Sequence, residues 1–159
     1  MRILSTAAPA MLAIAVAACA TAPPPPADPV EVREAALRYM FANNLSGLQR
    51  SAGTYCVGLG QQPGLRDPSP QLLAALNDVR PTVRPASACR IEGPRVVDAA
   101  GRASLIFNVD VLRCMGDECV VRAGYYEANA SASAGEYTLY RSGGRWRVDP
   151  SRTAPGPVA

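Results

Sequence analysis

The side chains with the most distinctive chemistry in this 159-residue chain are its five cysteines, because the sequence contains no histidine. Four of them lie well inside the chain: Cys56, Cys89, Cys114 and Cys119. Their spacing lacks the paired C-x2-C motifs of structural zinc sites, so two disulfides are favoured over a metal centre. Cys114 and Cys119 flank a short segment with Gly116 between two strand-like runs, so they can face each other across a hairpin. That pairing leaves Cys56 to bond to Cys89, and we predict no metal and no cofactor.

Polar residues on the two runs that flank this turn could form a ligand pocket. If Cys114 faces Cys119 in an antiparallel pair, residues whose numbers sum to 233 stand opposite each other. One face of the pair then carries Asn108, Asp110, Tyr125 and Glu127. A carboxylate buried in an apolar pocket has a raised pKa and can act as a base. The preferred alternative places these residues on the solvent side of a half-exposed sheet, and no catalytic residue is predicted.

Arginine supplies all of the side-chain positive charge, because the chain has 16 arginines and no lysine. A proline-rich connection, in which Glu92 is the only acidic residue, contains Arg80, Arg84, Arg90 and Arg95. These arginines could bind an anionic partner through bidentate hydrogen bonds, although such residues more often form an ordinary solvated surface. Without Arg2, 15 arginines stand against 13 acidic residues, and this near balance argues against a nucleic-acid-binding protein.

The N-terminal segment has the features of an export signal. After Arg2 no charged residue occurs before Asp28, and residues 3–18 form an apolar, alanine-rich stretch. A membrane-spanning helix needs about 20 apolar residues, whereas this stretch is shorter and is interrupted by Pro9. We therefore predict a cleaved signal peptide that comprises residues 1–18.

The junction Val16-Ala17-Ala18-Cys19 resembles the lipobox of bacterial lipoprotein precursors, in which an aliphatic and two small residues precede an obligatory cysteine. The resemblance implies cleavage before Cys19, a diacylglycerol on its sulfur and a fatty acid such as palmitate on the new amino terminus. Several acyl chains would anchor the mature protein firmly in a membrane of the cell envelope. Ala20 rather than aspartate follows the cysteine, which implies the periplasmic face of the outer membrane. The alternative is an ordinary secretory signal cut after Ala20 or Ala22.

Composition divides the rest of the chain into a linker, one domain and a tail. The proline-rich segment APPPPADP favours an extended conformation, so residues 19–28 are predicted to be the lipidated cysteine and a linker. Residues 29–149 are long enough for one domain with a single core. Residues 150–159 are predicted to be a disordered tail.

Local signals place two helices before a series of strands. Asp28, Pro29 and Glu31 form the capping pattern of a helix start, and Ser69-Pro70 opens a short second helix. Strand-like runs occupy residues 54–59, 95–98, 103–114, 119–130, 136–141 and 145–149. In the register set by the cysteines, the face expected to meet the helices carries Leu105, Phe107, Val109, Val111, Val120 and Tyr126.

The closing hairpin, residues 137–141 followed by 144–148, is similar to that of small NTF2-like and cystatin-like folds. The resemblance implies an α+β cone in which two helices pack on a curved antiparallel sheet of about five to six strands. NTF2-like enzymes use a concave pocket that often contains a histidine and carboxylates, and this chain lacks the histidine. We therefore expect a non-catalytic envelope lipoprotein that binds a partner protein or an envelope component. The alternatives are a small-molecule-binding protein and an NTF2-like enzyme.

Overall fold

A computed structural model gives the structure of residues 27–43, 47–48, 51–128 and 131–155. The predicted signal peptide, Cys19 and most of the predicted linker lie outside the described residues. Two helices, α1 (Pro29–Asn43) and α2 (Pro70–Ala75), pack on a mixed β-sheet, which confirms the α+β class. No helix among the described residues is long and apolar enough to cross a membrane.

Both helices begin where the sequence predicts. The Asp28 carboxylate accepts a hydrogen bond from the Val30 amide at 2.8 Å, and Ser69 Oγ accepts one from the Leu72 amide at 3.2 Å. These side chains satisfy amide groups that have no helical carbonyl partner. The α1 helix ends at Asn43, and its buried face consists of Val32, Ala36, Leu37, Met40 and Phe41.

Within the described residues, one sheet contains eight strands: β1 (Tyr55–Leu59), β2 (Val83–Pro85), β3 (Cys89–Glu92), β4 (Arg95–Asp98), β5 (Leu105–Met115), β6 (Glu118–Ala128), β7 (Ser131–Ser142) and β8 (Arg145–Pro155). Strands β5 to β8 pair in sequence as antiparallel neighbours, whereas β1 runs parallel to both β2 and β5. The prediction of an antiparallel sheet of about five to six strands is therefore confirmed for β5 to β8, but the parallel pairing of β1 and the short strands β2 and β3 were not predicted. The physical reason is the long connection after β1, which contains α2 and returns the chain so that a parallel neighbour can form.

A β-bulge at Leu112 changes the register of the β5–β6 hairpin. Near the turn the predicted register is confirmed, because Cys114 stands opposite Cys119. Beyond Leu112, Val111 stands opposite Val121, and the later pairs keep this displacement of one residue. A shift of one residue moves each following side chain to the other face of the sheet, so the bulge decides which β6 residues meet α1.

The bulge reverses the faces predicted for β6 but leaves those of β5 intact. Phe107 and Val109 are fully buried on the α1 side, as predicted. Phe107 stands opposite Tyr125, which also packs in this core. The prediction that Val120 and Tyr126 face the helices was wrong, because both lie on the opposite face of β6.

A second, smaller core lies on the face of the sheet away from α1. The β3–β4 hairpin covers this face, and Val96 packs there with Ile106 and Cys56. A disulfide between Cys56 and Cys89 joins β1 to β3 across this core. The sheet around β1 and β5 is therefore covered on both faces, whereas the sequence predicted a single core.

Strand β8 continues to Pro155, so the predicted disordered tail is wrong for residues 150–155. The Asp149 carboxylate accepts hydrogen bonds from the amide and hydroxyl groups of Ser151, at 3.0 and 2.6 Å. This local turn lies at an irregularity in the β7–β8 pairing. Beyond it, Thr153 stands opposite Tyr137. Residues 156–159 of the predicted tail lie outside the described residues.

Candidate functional site

The four internal cysteines form the two predicted disulfides, Cys56–Cys89 and Cys114–Cys119. The Cα atoms are 6.1 Å apart in the first bridge and 4.1 Å apart in the second. Both thiols of each pair are consumed, so these four residues offer no cysteine nucleophile. Within the part of the chain that the structure describes, no group of three or more histidine, cysteine or carboxylate side chains could hold a metal ion.

The structure separates the residues predicted to share a polar pocket face. Asn108 and Asp110 lie on the face of β5 away from α1, and the Asn108 amide donates a hydrogen bond to a backbone carbonyl of the loop after β1 at 3.0 Å. Tyr125 lies on the opposite, α1-facing side of the sheet. Glu127 is buried at a second irregularity, between β6 and β7. The prediction of one shared face was wrong because it did not include the bulge at Leu112.

Aromatic side chains fill the middle of the space between α1 and the sheet, where the NTF2-like resemblance places a pocket. The ring centroid of Phe107 is 4.9 Å from that of Phe41 and 5.0 Å from that of Tyr55. Edge-to-face contacts at these distances stabilise a core beyond the burial of area. At the margin of this cluster, burial raises the pKa of the Tyr137 hydroxyl. The position expected for an enzyme pocket is thus part of the packed core.

The four arginines predicted as one anionic-partner surface occupy different places. Arg80 donates hydrogen bonds to two backbone carbonyls after α2, at 2.8 and 3.0 Å. Arg95 lies at the β3–β4 turn, three residues along the strand from Asp98, or about 10 Å. Arg84 lines the same cavity as Asp98, and Arg90 Nη1 donates to the Asp98 carbonyl at 3.3 Å. The structure therefore brings Arg84 and Arg90 to one region, around Asp98.

Asp98 is a buried carboxylate, only 5% exposed, that organises this region. Its oxygens accept hydrogen bonds from the amides of Arg102 and Ala100, at 3.0 and 2.9 Å, and from the Thr54 hydroxyl at 3.0 Å. The Arg102 guanidinium also lies 2.8 Å from the carboxylate. These interactions, led by the hydrogen bond from the Arg102 amide, lower the pKa of Asp98 to about 2. Asp98 is therefore ionised at neutral pH, and Arg102 compensates its charge.

A surface cavity of about 410 Å³ opens beside this carboxylate, and we call it the Asp98 cavity. Arg84 and Arg102 both line it, together with small alanine side chains. Arg102 is paired with Asp98, whereas Arg84 is exposed and has no ion-pair partner among the described residues. The cavity therefore has an uncompensated positive charge. Its guanidinium donors suit a carboxylate or a phosphate group, which accepts paired hydrogen bonds from arginine.

A second cavity, of about 480 Å³, runs beside β3. Leu65, Ile91 and Ile106 contribute to its lining, and Ile91 is 48% exposed. The nearby Asp67 carboxylate accepts hydrogen bonds from the amide and hydroxyl of Ser87, at 2.9 and 2.6 Å. These two hydrogen bonds hold Ser87 and Asp67 together in the wall of the cavity.

Sequence analysis identified Arg84 and Arg90 but missed Asp98 and Arg102 as members of the site. Asp98 was assigned to the end of the strand-like run 95–98. An aspartate that begins a turn containing glycine, here Gly101, is a recognisable signal, because its carboxylate can accept the amide hydrogens of the following residues. No local sequence signal indicated that Arg84 of β2 lies near Asp98, because their proximity depends on how strands distant in the sequence pack together.

Comparisons with known proteins do not place this chain in a family. No protein-family model matches it, and neither a curated protein nor a solved structure matches it. Evidence about its function therefore comes from its own residues: the lipobox-like junction, the filled core and the Asp98 cavity.

Proposed function

We propose that this chain is a non-catalytic lipoprotein of the bacterial cell envelope, anchored through Cys19, that binds an anionic group of an envelope partner in the Asp98 cavity. The anchor places it on the periplasmic face of the outer membrane. The observation that carries the binding proposal is the exposed guanidinium of Arg84 beside the Asp98–Arg102 pair. The two disulfides are in keeping with an oxidising compartment outside the cytoplasm.

The filled core supports a binding role over an enzymatic one. Asn108 is engaged with a backbone carbonyl, and Asp110 lies away from Tyr125, so these residues do not converge on a reacting group. Phe107 occupies the interior position that a cone-shaped enzyme would leave open. The buried Asp98 carboxylate is held ionised by Arg102, so it is a poor general base at neutral pH.

The cavity supports an anionic ligand group for a physical reason. Arg102 is held by Asp98 and presents a guanidinium whose side chain is 64% exposed, while Arg84 reaches the same cavity from β2. An arginine held in place by a carboxylate loses less conformational entropy on binding than a free one. The Asp98–Arg102 pair therefore positions one donor group, and Arg84 supplies the net charge.

The anchor is tested by replacing Cys19 with serine. We expect the variant to lose all incorporation of labelled palmitate and to move from the membrane fraction to the periplasmic fraction, because a hydroxyl does not form the thioether. A Thr21→Ser variant, changed two residues away, serves as the matched control and should remain acylated. Recovery of the unchanged chain as a soluble periplasmic protein would show that the lipobox interpretation is wrong.

The cavity is tested by replacing Arg84 with alanine and measuring the binding of a fluorescent glutamate-rich peptide. We expect the dissociation constant to rise about tenfold or more, since a hydrogen bond to a charged group contributes about 1.5–3 kcal/mol. Arg80→Ala is the matched control, because Arg80 is an exposed arginine of the same connection that does not line the cavity.

Salt provides the second readout for the cavity. Binding of the peptide should weaken as ionic strength rises, and this dependence should become shallower in Arg84→Ala but not in Arg80→Ala. Equal losses of affinity in the two variants, or binding by the unchanged chain that does not respond to salt, would contradict the proposed site.

A further inference from the structure

We infer that the end of the domain formed by the β5–β6 and β7–β8 turns rests on the phospholipid bilayer, with Met115 and Tyr140 in the membrane interface. We call this the turn end. The inference rests on the proposed acylation of Cys19, and it adds which surface of the domain meets the membrane. Three observations carry it: the alignment of the two turns, the position of the start of α1, and the exposed apolar side chains between them.

The pairing of four strands places both turns at one end of the sheet. Met115 stands opposite Glu118, Glu118 opposite Tyr140, and Tyr140 opposite Arg147. Directly opposed residues of antiparallel strands share a face, so these four side chains form one row across β5 to β8. The Arg141 amide also donates a hydrogen bond at 2.8 Å to the carbonyl of Asp117, which joins the two turns directly.

The chain enters the domain at the same end. A cavity of about 400 Å³ lies between the first turns of α1 and the β7–β8 turn, and its lining includes Glu31, Glu34, Gly144 and Arg145. Later in the helix, Tyr39 lies 5.8 Å from Tyr137 between ring centroids, further along β7 from the turn. The α1 helix therefore begins at the turn end and runs away from it.

The length of chain between the anchor and the domain limits which surface can reach the bilayer. Cys19 and Ala27 are eight residues apart, so a fully extended chain between them spans at most about 29 Å. Strand β6 extends from Glu118 at the turn end to Ala128, a distance of about 33 Å. The fully stretched tether is therefore shorter than the sheet, so the far end of the sheet is out of its reach, whereas the turn end lies beside the point of attachment.

The turn end also exposes apolar side chains that suit an interface. Met115 is 77% exposed and Tyr140 41% exposed, and Leu112, three residues before Met115 on β5, is 37% exposed. Glu118, between Met115 and Tyr140, is neutralised by two contacts with the Arg152 guanidinium at 2.6 and 3.0 Å. Tyrosine favours the headgroup region of membranes, where its ring is buried and its hydroxyl remains hydrated.

Three arginines near these apolar side chains have no ion-pair partner among the described residues: Arg113, Arg145 and Arg147. Their guanidinium groups can donate to lipid phosphates. Acidic residues such as Glu31 and Asp117 lie at the same end, so the overall charge there is close to balance. The contact with the bilayer must therefore depend on insertion of the apolar side chains rather than on a strong positive field.

The test uses the complete acylated chain in vesicles of phosphatidylethanolamine and phosphatidylglycerol with brominated acyl chains, which quench nearby indoles. Met115→Trp places an indole at the turn end, and Ile91→Trp places one at an exposed apolar position on β3, far from the turn end. The native Trp146 is only 6% exposed, and the unchanged protein supplies its background. We expect the indole at position 115 to lose most of its emission and the indole at position 91 to keep its emission.

Leu112→Trp gives a second reporter at the turn end, in case the indole at position 115 disturbs the turn, and it should be quenched as well. Equal quenching at positions 91 and 115, or none at 112 and 115 in protein that floats with the vesicles, would overturn the inference while leaving the anchor intact. Failure of the unchanged chain to float with vesicles would overturn the anchor, and this inference with it.

Discussion

Replacing Phe107 with alanine is expected to lower the free energy of unfolding by about 3–5 kcal/mol. Phe107 is fully buried, and its ring contacts Phe41 and Tyr55 at the centre of the main core. Alanine removes the transfer free energy of the ring and leaves a cavity that α1 and the sheet cannot fully close. Chemical denaturation of the Cys19→Ser protein, with and without the change, measures the difference.

The same variant separates a packed core from a ligand pocket. Tyr140→Ala, which truncates a 41% exposed ring on the other face, should cost well under half as much. A small cost for Phe107→Ala, close to that of Tyr140→Ala, would mean that the space under the sheet is not tightly packed. That result would favour the two alternatives that need a pocket, a small-molecule-binding protein and an NTF2-like enzyme.

Replacing both Cys56 and Cys89 with alanine is expected to lower the free energy of unfolding by about 4 kcal/mol, against about 2 kcal/mol for Cys114 and Cys119. The sequence separations are 33 and 5 residues, and the longer loop restricts the unfolded chain more. The first bridge also holds the β3–β4 hairpin over the second core. Thermal unfolding of the two double variants, under identical oxidising conditions, makes the comparison.

The short bridge is the matched control for the long one, because both changes remove two sulfur atoms. We expect the variant without the Cys56–Cys89 bridge to melt at the lower temperature and to expose the β3–β4 hairpin to proteolysis first. Equal melting temperatures for the two variants, or a lower one for the variant without Cys114–Cys119, would contradict the prediction. In that case the loop around β3 would already be held by its packing against Val96 and Ile106.

These two experiments bear on the proposed function in different ways. Loss of the Cys56–Cys89 bridge should also weaken anion binding, because Arg90 and the Asp98 cavity lie beside β3. Loss of Phe107 should leave that binding nearly unchanged in the folded fraction, since the ring lies on the other side of the sheet. The pair of variants therefore separates the core from the proposed binding surface.

Several features of this protein could be predicted from the sequence because they depend on neighbouring residues. The starts of α1 and α2 follow from Asp28 and Ser69, whose side chains reach amides two or three residues away. The Cys114–Cys119 bridge follows from a turn short enough to bring its own ends together. In the closing hairpin, Arg141 stands opposite Trp146 and lies 4.9 Å over its ring, a contact between residues only five apart.

The tertiary structure alone decided the features that depend on distant parts of the chain. One bulge at Leu112 placed Tyr125 and Asp110 on opposite faces, and nothing in the local pattern of apolar residues marks that bulge. The parallel pairing of β1 with β5 and the approach of Arg84 to Asp98 join segments separated by a long connection. Local hydrogen bonding selects turns and caps residue by residue, whereas strand partners and shared cavities are selected by the packing of the whole core.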